Sequence, residues 1–196
     1  VVAVSTNDGT DFQLLYTLSR TNFINVSVNE INLSDWQGFP QVGGKGLVMF
    51  GSAAYRASNV RLAFQPIGEI ETPSSLRYFT GLDGAGNPLW SSNEADAIEL
   101  FNQPQVGELS VTYNKFIRRW LMLYNGDNPR GINYRTALQP WGPWSQPQVL
   151  FDPWSMGAYG QFLHIPDGAF ASDNVHNSGR AGEWGGEYGP YLFKEF

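Results

Sequence analysis

The chain has 196 residues, 15% of them aromatic and 15% charged, with a formal net charge of −6. That length bounds one sizeable domain with a core of its own, and the aromatic-rich, charge-poor balance excludes a disordered chain. An acidic surface repels phosphate, so nucleic acid is a poor partner despite seven Trp that could stack on bases, and the absence of Cys excludes disulfides, thiol catalysis and thiolate metal sites.

From the N-terminus, the first signal is a turn. Ser5-Thr6-Asn7-Asp8-Gly9-Thr10-Asp11-Phe12 resembles the Asp-box of sialidase-type propellers, Ser-x-Asp-x-Gly-x-x-Trp, with Asn7 in place of the Asp and Phe12 in place of the Trp. Next come short apolar runs, Gly46 to Phe50 and Val60 to Phe64, then Leu76 to Phe79. The turn sequence Asp83-Gly84-Ala85-Gly86-Asn87-Pro88 precedes Trp90-Ser91, and Asn93 to Phe101 reads as the one possible helical turn. Leu109 to Tyr113 and Trp120 to Tyr124 follow, then the turn Asn125 to Pro129 and the runs Val149 to Phe151 and Phe162 to Ile165. The segment Asp167 to Gly186 is polar and Gly-rich and reads as a long loop. No run approaches the roughly 18 apolar residues of a spanning helix, so no membrane span is expected.

Runs that are β-branched, aromatic or alternating predict strands, and 22 Gly and 12 Pro supply the turns between them. The expected class is all-β: a sandwich, a barrel or a propeller. A repeat favours the last. Trp90-Ser91 and Trp144-Ser145 each follow a strand and a polar turn, with Gly-led strands upstream near Gly46 and Gly107. A spacing of roughly 50–60 residues fits a four-stranded propeller blade. The predicted blades are a partial one over 1–33, complete ones over 42–102 and 106–152, and a partial one over 158–196. The strands of the complete blades fall near 46–51, 59–65, 75–80 and 97–101, and near 108–113, 119–124, 132–136 and 148–151. Such a row leaves the ring open, so the chain is expected to carry only part of one propeller domain.

Four ordered elements carry a resemblance: Gly46-Leu47-Val48-Met49-Phe50-Gly51-Ser52 with Tyr55-Arg56-Ala57-Ser58 and Val60-Arg61-Leu62-Ala63; Val106-Gly107-Glu108-Leu109-Ser110-Val111 with Arg119 to Tyr124; Trp141-Gly142-Pro143-Trp144-Ser145-Gln146-Pro147; and Tyr188-Gly189-Pro190-Tyr191-Leu192. In this order, over about residues 40–196, they resemble the domain-of-unknown-function family numbered 4185. Some of its members are classed as glycoside hydrolases of family 183, endo-acting D-arabinanases. The resemblance implies a five-bladed β-propeller acting on carbohydrate. It does not imply that every member is an arabinanase.

Glycoside hydrolysis needs two carboxyl groups flanking the bond, one to protonate the leaving oxygen and one to act as base or nucleophile. In a propeller they come from the starts of innermost strands. Glu108, directly after Gly107, opens such a strand and is expected at the funnel mouth, where partial burial disfavours the ionised form and suits a general acid. The alternative is a solvated strand-edge charge paired with Arg118 or Arg119. Glu187, before Tyr188-Gly189-Pro190, is the second candidate. Asp35 is the third, in the connection into the next blade, beside Trp36 as a ring to stack on a sugar face. Asp127 and Arg130, in a second-to-third strand loop, and Tyr188 are candidate hydroxyl contacts. Trp90, Trp120 and Trp144 are read as packing between blades. Arg56 is read as a structural donor on the face opposite the funnel. His164 and His176 are the only His, and no nucleophile elbow accompanies them. His164 is the one residue with a possible approach to a central ion or water.

No metal or cofactor is expected. The expected partner is a polysaccharide or oligosaccharide met by a monomer in an extracellular, cell-surface or periplasmic setting. Three functions compete: a glycoside hydrolase on an arabinan-like furanose polysaccharide, a non-catalytic carbohydrate-binding or cell-wall-associated propeller, and a structural or protein-interaction propeller.

Overall fold

A computed structural model describes residues 1–166 and 182–193. These residues form three antiparallel sheets joined by turns, and helical structure among them is limited to 3-10 turns of three residues. β1 (Val2–Val4) and β2 (Gln13–Tyr16) make a hairpin. β3 (Asn25–Asn32), β4 (Lys45–Ser52), β5 (Arg61–Pro66), β6 (Arg77–Leu82) and β7 (Pro88–Ser91) lie in chain order across a five-stranded sheet. β8 (Val106–Asn114), β9 (Arg119–Asp127), β10 (Arg130–Ala137) and β11 (Gln148–Phe151) lie in chain order across a four-stranded one. The all-β expectation holds, because each run turns back onto its predecessor and pairs with it.

Three placements differ from the sequence expectation. First, β3 pairs with β4 along its whole length, Asn25 opposite Ser52 and Asn32 opposite Lys45, so it belongs to the following sheet and β4 is second in order. Its sequence, Asn-Val-Ser-Val-Asn-Glu-Ile-Asn, hides the strand because polar residues occupy both faces, and Asn29 is buried beside Ile31. Second, residues 97–101 add no strand. Instead β7 runs antiparallel to β6, starting at Pro88 on the sheet edge, where a missing N–H costs no ladder bond. The helical turn expected after it is a 3-10 turn at Glu94–Asp96, capped by the Asn93 side chain accepting from the Ala95 amide. Third, the described part of 158–196 contains one isolated bridge, Tyr159 to Leu163, and no named strand. Most of the loop expected from Asp167 to Gly186 lies outside the described residues.

The core lies between the two larger sheets. Val48, Phe50, Leu62, Phe64 and Phe79 face it from one side, and Val111, Trp120, Met122 and Tyr124 from the other. Alternate residues point to opposite faces of a strand, so Val48 and Phe50 enter this core while Met49 between them points the other way. Aromatic rings set the spacing. Trp120 lies 5.5 Å from Phe50, and Trp144 meets Phe50 edge-on at 5.9 Å, the geometry that ring quadrupoles favour. Trp90 packs on Phe39, Phe64 and Phe79 and donates its indole N–H to the Gly38 carbonyl (2.8 Å). The repeated Trp residues are therefore structural.

A second core covers the reverse face of the five-stranded sheet. Phe23, Met49, Ala63, Leu76 and Tyr78 meet there beneath Tyr16 and Leu18. The β1–β2 hairpin is tied down by polar contacts. The Tyr16 hydroxyl donates to the Ile70 carbonyl (2.9 Å), and Glu94 Oε1 accepts from Ser19 Oγ, Thr21 Oγ1 and the Asn22 amide. In the hairpin turn, Asn7 Oδ1 accepts from the Asp11 amide and Ser5 Oγ accepts from the Gly9 amide. Asn7 thus closes the turn as an Asp at that position would.

Burial, followed by the charge of Glu94 and the neighbouring Tyr16, pushes the Tyr78 hydroxyl up to about 12. The unfolded chain releases this proton near pH 10, the folded chain only near 12, so between these values the folded state binds more protons. The stabilisation is complete below pH 10 and is lost as the pH rises through about 12, an effect of roughly 2–3 kcal/mol. Urea unfolding measured from pH 9 to 12.5 should show this decline, and Tyr78→Phe should make it shallower.

Candidate functional site

The ends of the two larger sheets are brought together by β3 and β8, which run side by side in the same direction. Ser27 Oγ donates to the Val111 carbonyl and accepts from the Val111 amide (2.9 Å). Ser52, opposite the first residue of β3, donates to the Gly107 carbonyl at the start of β8 (3.4 Å). The loop after β4 is fastened to the same place: the Arg56 amide donates to the Val106 carbonyl and the Val106 amide to the Ser58 carbonyl. One end of the molecule therefore gathers the starts of β3 and β8, the β4–β5 loop, the β9–β10 turn and the segment after β11.

Glu108 sits in this end, inside the irregular stretch between Val106 and Leu109 where the β8–β9 register shifts. Its Oε2 is buried with no hydrogen-bond partner among the described residues. Gly107 before it must be small: a Cβ there would come within 3.0 Å of the Tyr55 ring and 3.2 Å of the Asn125 carbonyl. The Tyr55 hydroxyl is held above its ordinary pKa first by partial burial, with the Glu108 and Asp127 carboxylates adding to the effect and Arg56 opposing it. Arg56 itself donates to Asp127 Oδ1 at 2.7 Å and lies over the Tyr55 ring. It thus stands on the Glu108 end, not on the opposite face, because its loop follows the second strand of its sheet.

Glu187 reaches the same place from the C-terminal segment. Its carbonyl accepts from Asn125 Nδ2 (2.7 Å), and Asn125 lies in β9 between Tyr124 and Gly126, across from the Gly107–Glu108 irregularity. The residue is 7% exposed, and both carboxylate oxygens are buried without a partner among the described residues. A carboxylate left so is costly unless a ligand, a proton or water satisfies it, and such groups concentrate at functional sites. Tyr188 beside it is 78% exposed.

An aromatic cluster holds the segment that leads to Glu187. Trp154, Tyr159 and Trp184 pack with centroids 4.5 to 5.1 Å apart, and both Trp remain partly open to solvent. Arg130 Nη2 donates to the Tyr159 hydroxyl, which donates to the Gly185 carbonyl. The turn carrying Trp154 is shaped by Asp152, whose carboxyl is held below its usual range first by the Ser155 side chain, then by the Trp154 and Ser155 amides and Arg130. Gly131, at φ 107°, lets β10 lie against the end of β11, since a Cβ would fall 2.1 Å from the Phe151 carbonyl.

Beneath this rim is a buried arginine. Arg135 is 4% exposed and has no carboxylate partner among the described residues. Its guanidinium donates to the Tyr124 hydroxyl, the Ser145 carbonyl and Gln103 Oε1, and lies 4.3 Å from the Phe101 ring centroid. Gln103 passes the connection on, its side chain donating to the Asn128 carbonyl and its amide to Asn59. The network holds the β9–β10 turn, and with it Asp127 and Arg130, on the core.

Of the sequence candidates, Glu108, Glu187, Asp127, Arg130 and Tyr188 are therefore carried on one end. Asp35 and Trp36 are not. They follow the far end of β3, where Trp36 packs on Tyr113 and Trp120 and lines a separate cleft. His164 is buried beneath Gly185, to whose amide its carbonyl is bonded, and His176 lies outside the described residues. The sequence reading missed Trp154, Tyr159 and Trp184 as a unit. Only their aromatic character was visible, and their convergence depends on the turn after β11.

The family described as Domain of unknown function (DUF4185) matches residues 1–193, a span that takes in the N-terminal hairpin as well as both larger sheets. No curated protein matches the chain.

Replacing Arg135 tests whether the buried network holds the site end together. Arg135→Ala removes the donors to the Tyr124 hydroxyl, Gln103 Oε1 and the Ser145 carbonyl, leaves Tyr124 and Gln103 bonded only to each other at that spot, and opens a cavity, so it should cost about 3–5 kcal/mol in urea unfolding. Arg135→Lys should recover only part of this, because an ammonium cannot reproduce the planar fork.

Proposed function

The chain belongs to the DUF4185 family, and from that premise we propose that it is a carbohydrate-active protein of the glycoside hydrolase type, working with Glu108 and Glu187 on an arabinan-like furanose polysaccharide. The observation that carries the reading is Glu187, whose carboxylate is buried and unpartnered among the described residues and whose backbone carbonyl is bonded to Asn125 of β9, across from Glu108. Two carboxyl groups at one site are the minimum equipment for cleaving a glycosidic bond. In this reading the two larger sheets are successive blades of a five-bladed propeller, β3 and β8 are their innermost strands, and the carboxylates stand at its funnel mouth.

Glu108 acts as the general acid. It gives its proton to the leaving glycosidic oxygen as the bond to the anomeric carbon breaks. Glu187 either takes a proton from water, which attacks the anomeric carbon, or attacks that carbon itself. In the second case Glu108 then takes a proton from the water that releases the sugar. A working separation of about 5–5.5 Å implies retention and one of about 6.5–9.5 Å inversion. Asp127 and Arg130 offer an acceptor and donors for sugar hydroxyls, and Trp154 and Trp184 offer ring faces for the apolar side of a furanose. That exposed aromatic group also favours a second reading, a carbohydrate-binding propeller without catalysis.

Reducing-end release from arabinan should fall about a hundredfold to ten-thousandfold in Glu108→Gln and in Glu187→Gln, while polysaccharide binding and the fold persist. Wild-type rates in both variants sink the proposal. Binding by the wild type without any release of reducing ends moves the assignment to the second reading. Trp184→Ala should weaken binding about tenfold under either reading, the equivalent of about 1.4 kcal/mol.

A further inference from the structure

The opposite end of β3 and β8 holds a cleft of about 1280 Å³ that the Glu108 end does not explain. Asn29, Trp36, Tyr113, Lys115, Arg118 and Trp120 contribute to its lining. β8 has nine residues, so its two ends lie roughly 25 Å apart and the cleft is a separate place. We propose that this cleft is a second ligand site, built for an acidic oligosaccharide.

Two buried donors argue for a ligand. Asn29 is 3% exposed and Trp120 0%, and Asn29 Nδ2 and Trp120 Nε1 have no acceptor among the described residues. Each unsatisfied buried N–H costs about 1–3 kcal/mol, which an acceptor entering the cleft removes. Packing explains the Trp120 ring but not Asn29, which shares its face of β3 with Ile31, a position that an apolar side chain could fill.

Charge and shape specify the ligand. Of the charged side chains lining the cleft, Lys115 and Arg118 stand exposed with no ion-pair partner among the described residues, Glu30 is held by Lys45, and Asp35 is the one carboxylate without a salt bridge, so two uncompensated cations face one uncompensated anion on a protein that is acidic overall. Trp36 and Tyr113 meet edge to face at 4.9 Å and give the cleft an aromatic wall. The volume exceeds the roughly 300–1,000 Å³ of sites for single small molecules. An extended ligand with many oxygen acceptors, apolar ring faces and negative charge fits all four features, and a uronate-containing oligosaccharide has that chemistry.

The test uses the whole chain and two probes, a galacturonate tetramer and a neutral arabinofuranose tetramer, with binding followed by calorimetry. The wild type should bind the galacturonate tetramer at least tenfold more tightly than the neutral one. Asn29→Asp and the double variant Lys115→Gln/Arg118→Gln should each lose at least tenfold of that affinity, and Glu187→Gln at the other end should leave it unchanged. The exposed Lys115 and Arg118 can be replaced without disturbing the core, so that pair decides the matter if Asn29→Asp fails to fold. No measurable affinity for the acidic tetramer, equal affinity for both tetramers, or full affinity in the double variant overturns the proposal. So does a loss in Glu187→Gln as large as in the double variant, because it would put the acidic ligand on the Glu108 end.

Discussion

Everything about this molecule follows from β3 and β8 running side by side in one direction without forming a ladder. The Ser27 hydroxyl, as donor and acceptor to Val111, sets their register with a side chain instead of backbone pairing. Two edge strands that do not pair leave their sheets free to face each other, and the facing surfaces then bury Phe50, Phe64, Trp120 and Tyr124 in one shared core. Because the strands are parallel, all their starts lie at one end and all their finishes at the other. The polar chemistry of the chain is divided accordingly.

The two ends differ in how they handle polar burial. At the Glu108 end the backbone is crowded, with Gly107 under Tyr55 and Arg56 and Gly131 under the end of β11. Such close approach brings loops from both sheets onto one spot and leaves carboxylates enclosed among them. Beneath, the Arg135 guanidinium spreads its charge over neutral oxygens and the Phe101 face instead of a carboxylate. A planar, delocalised, weakly hydrated cation tolerates this where an ammonium does not. At the other end lies an open cleft, and the buried unsatisfied groups among its lining residues are the donors Asn29 Nδ2 and Trp120 Nε1. Buried carboxylates beside the Arg56–Asp127 pair mark one end, and two buried N–H donors in a cleft with an aromatic wall mark the other.

The aromatic residues divide by position in the same way. Those on strands, Phe50, Phe64, Trp90 and Trp120, are buried or packed against the core and fix the distance between the sheets. Those on turns and the C-terminal segment, Trp154, Trp184 and Tyr188, stay accessible because the irregular backbone there lies outside the layers. One composition thus supplies both the glue of the fold and a surface for ligands. The choice between the two depends on whether a residue falls inside a paired strand.

The sequence by itself determined the class of the fold, most strand positions and the structural role of the repeated Trp residues. Alternation, β-branched and aromatic runs and turn residues act over a few residues, and Gly46 to Phe50, Leu109 to Tyr113 and Trp120 to Tyr124 carry those signals plainly. It also singled out Glu108, whose place after Gly107 at a strand start is a local fact. Only the tertiary structure decided which candidates meet. Glu187 is 79 residues beyond Glu108 in number yet shares its stretch of β8 and β9, through one bond to Asn125. Asp35, much closer to the start of the same sheet, ends on the opposite side because β3 carries the chain away from Asn25. β3 was hidden because its inward positions include Ser27 and Asn29, polar residues whose partners or cleft come from elsewhere in the chain. The burial of the Glu187 carboxylate, the convergence of Trp154, Tyr159 and Trp184, and the uncompensated Arg135 have the same origin. Each is a property of groups brought together across sheets, and periodicity along one strand carries no information about what the next sheet will place against it.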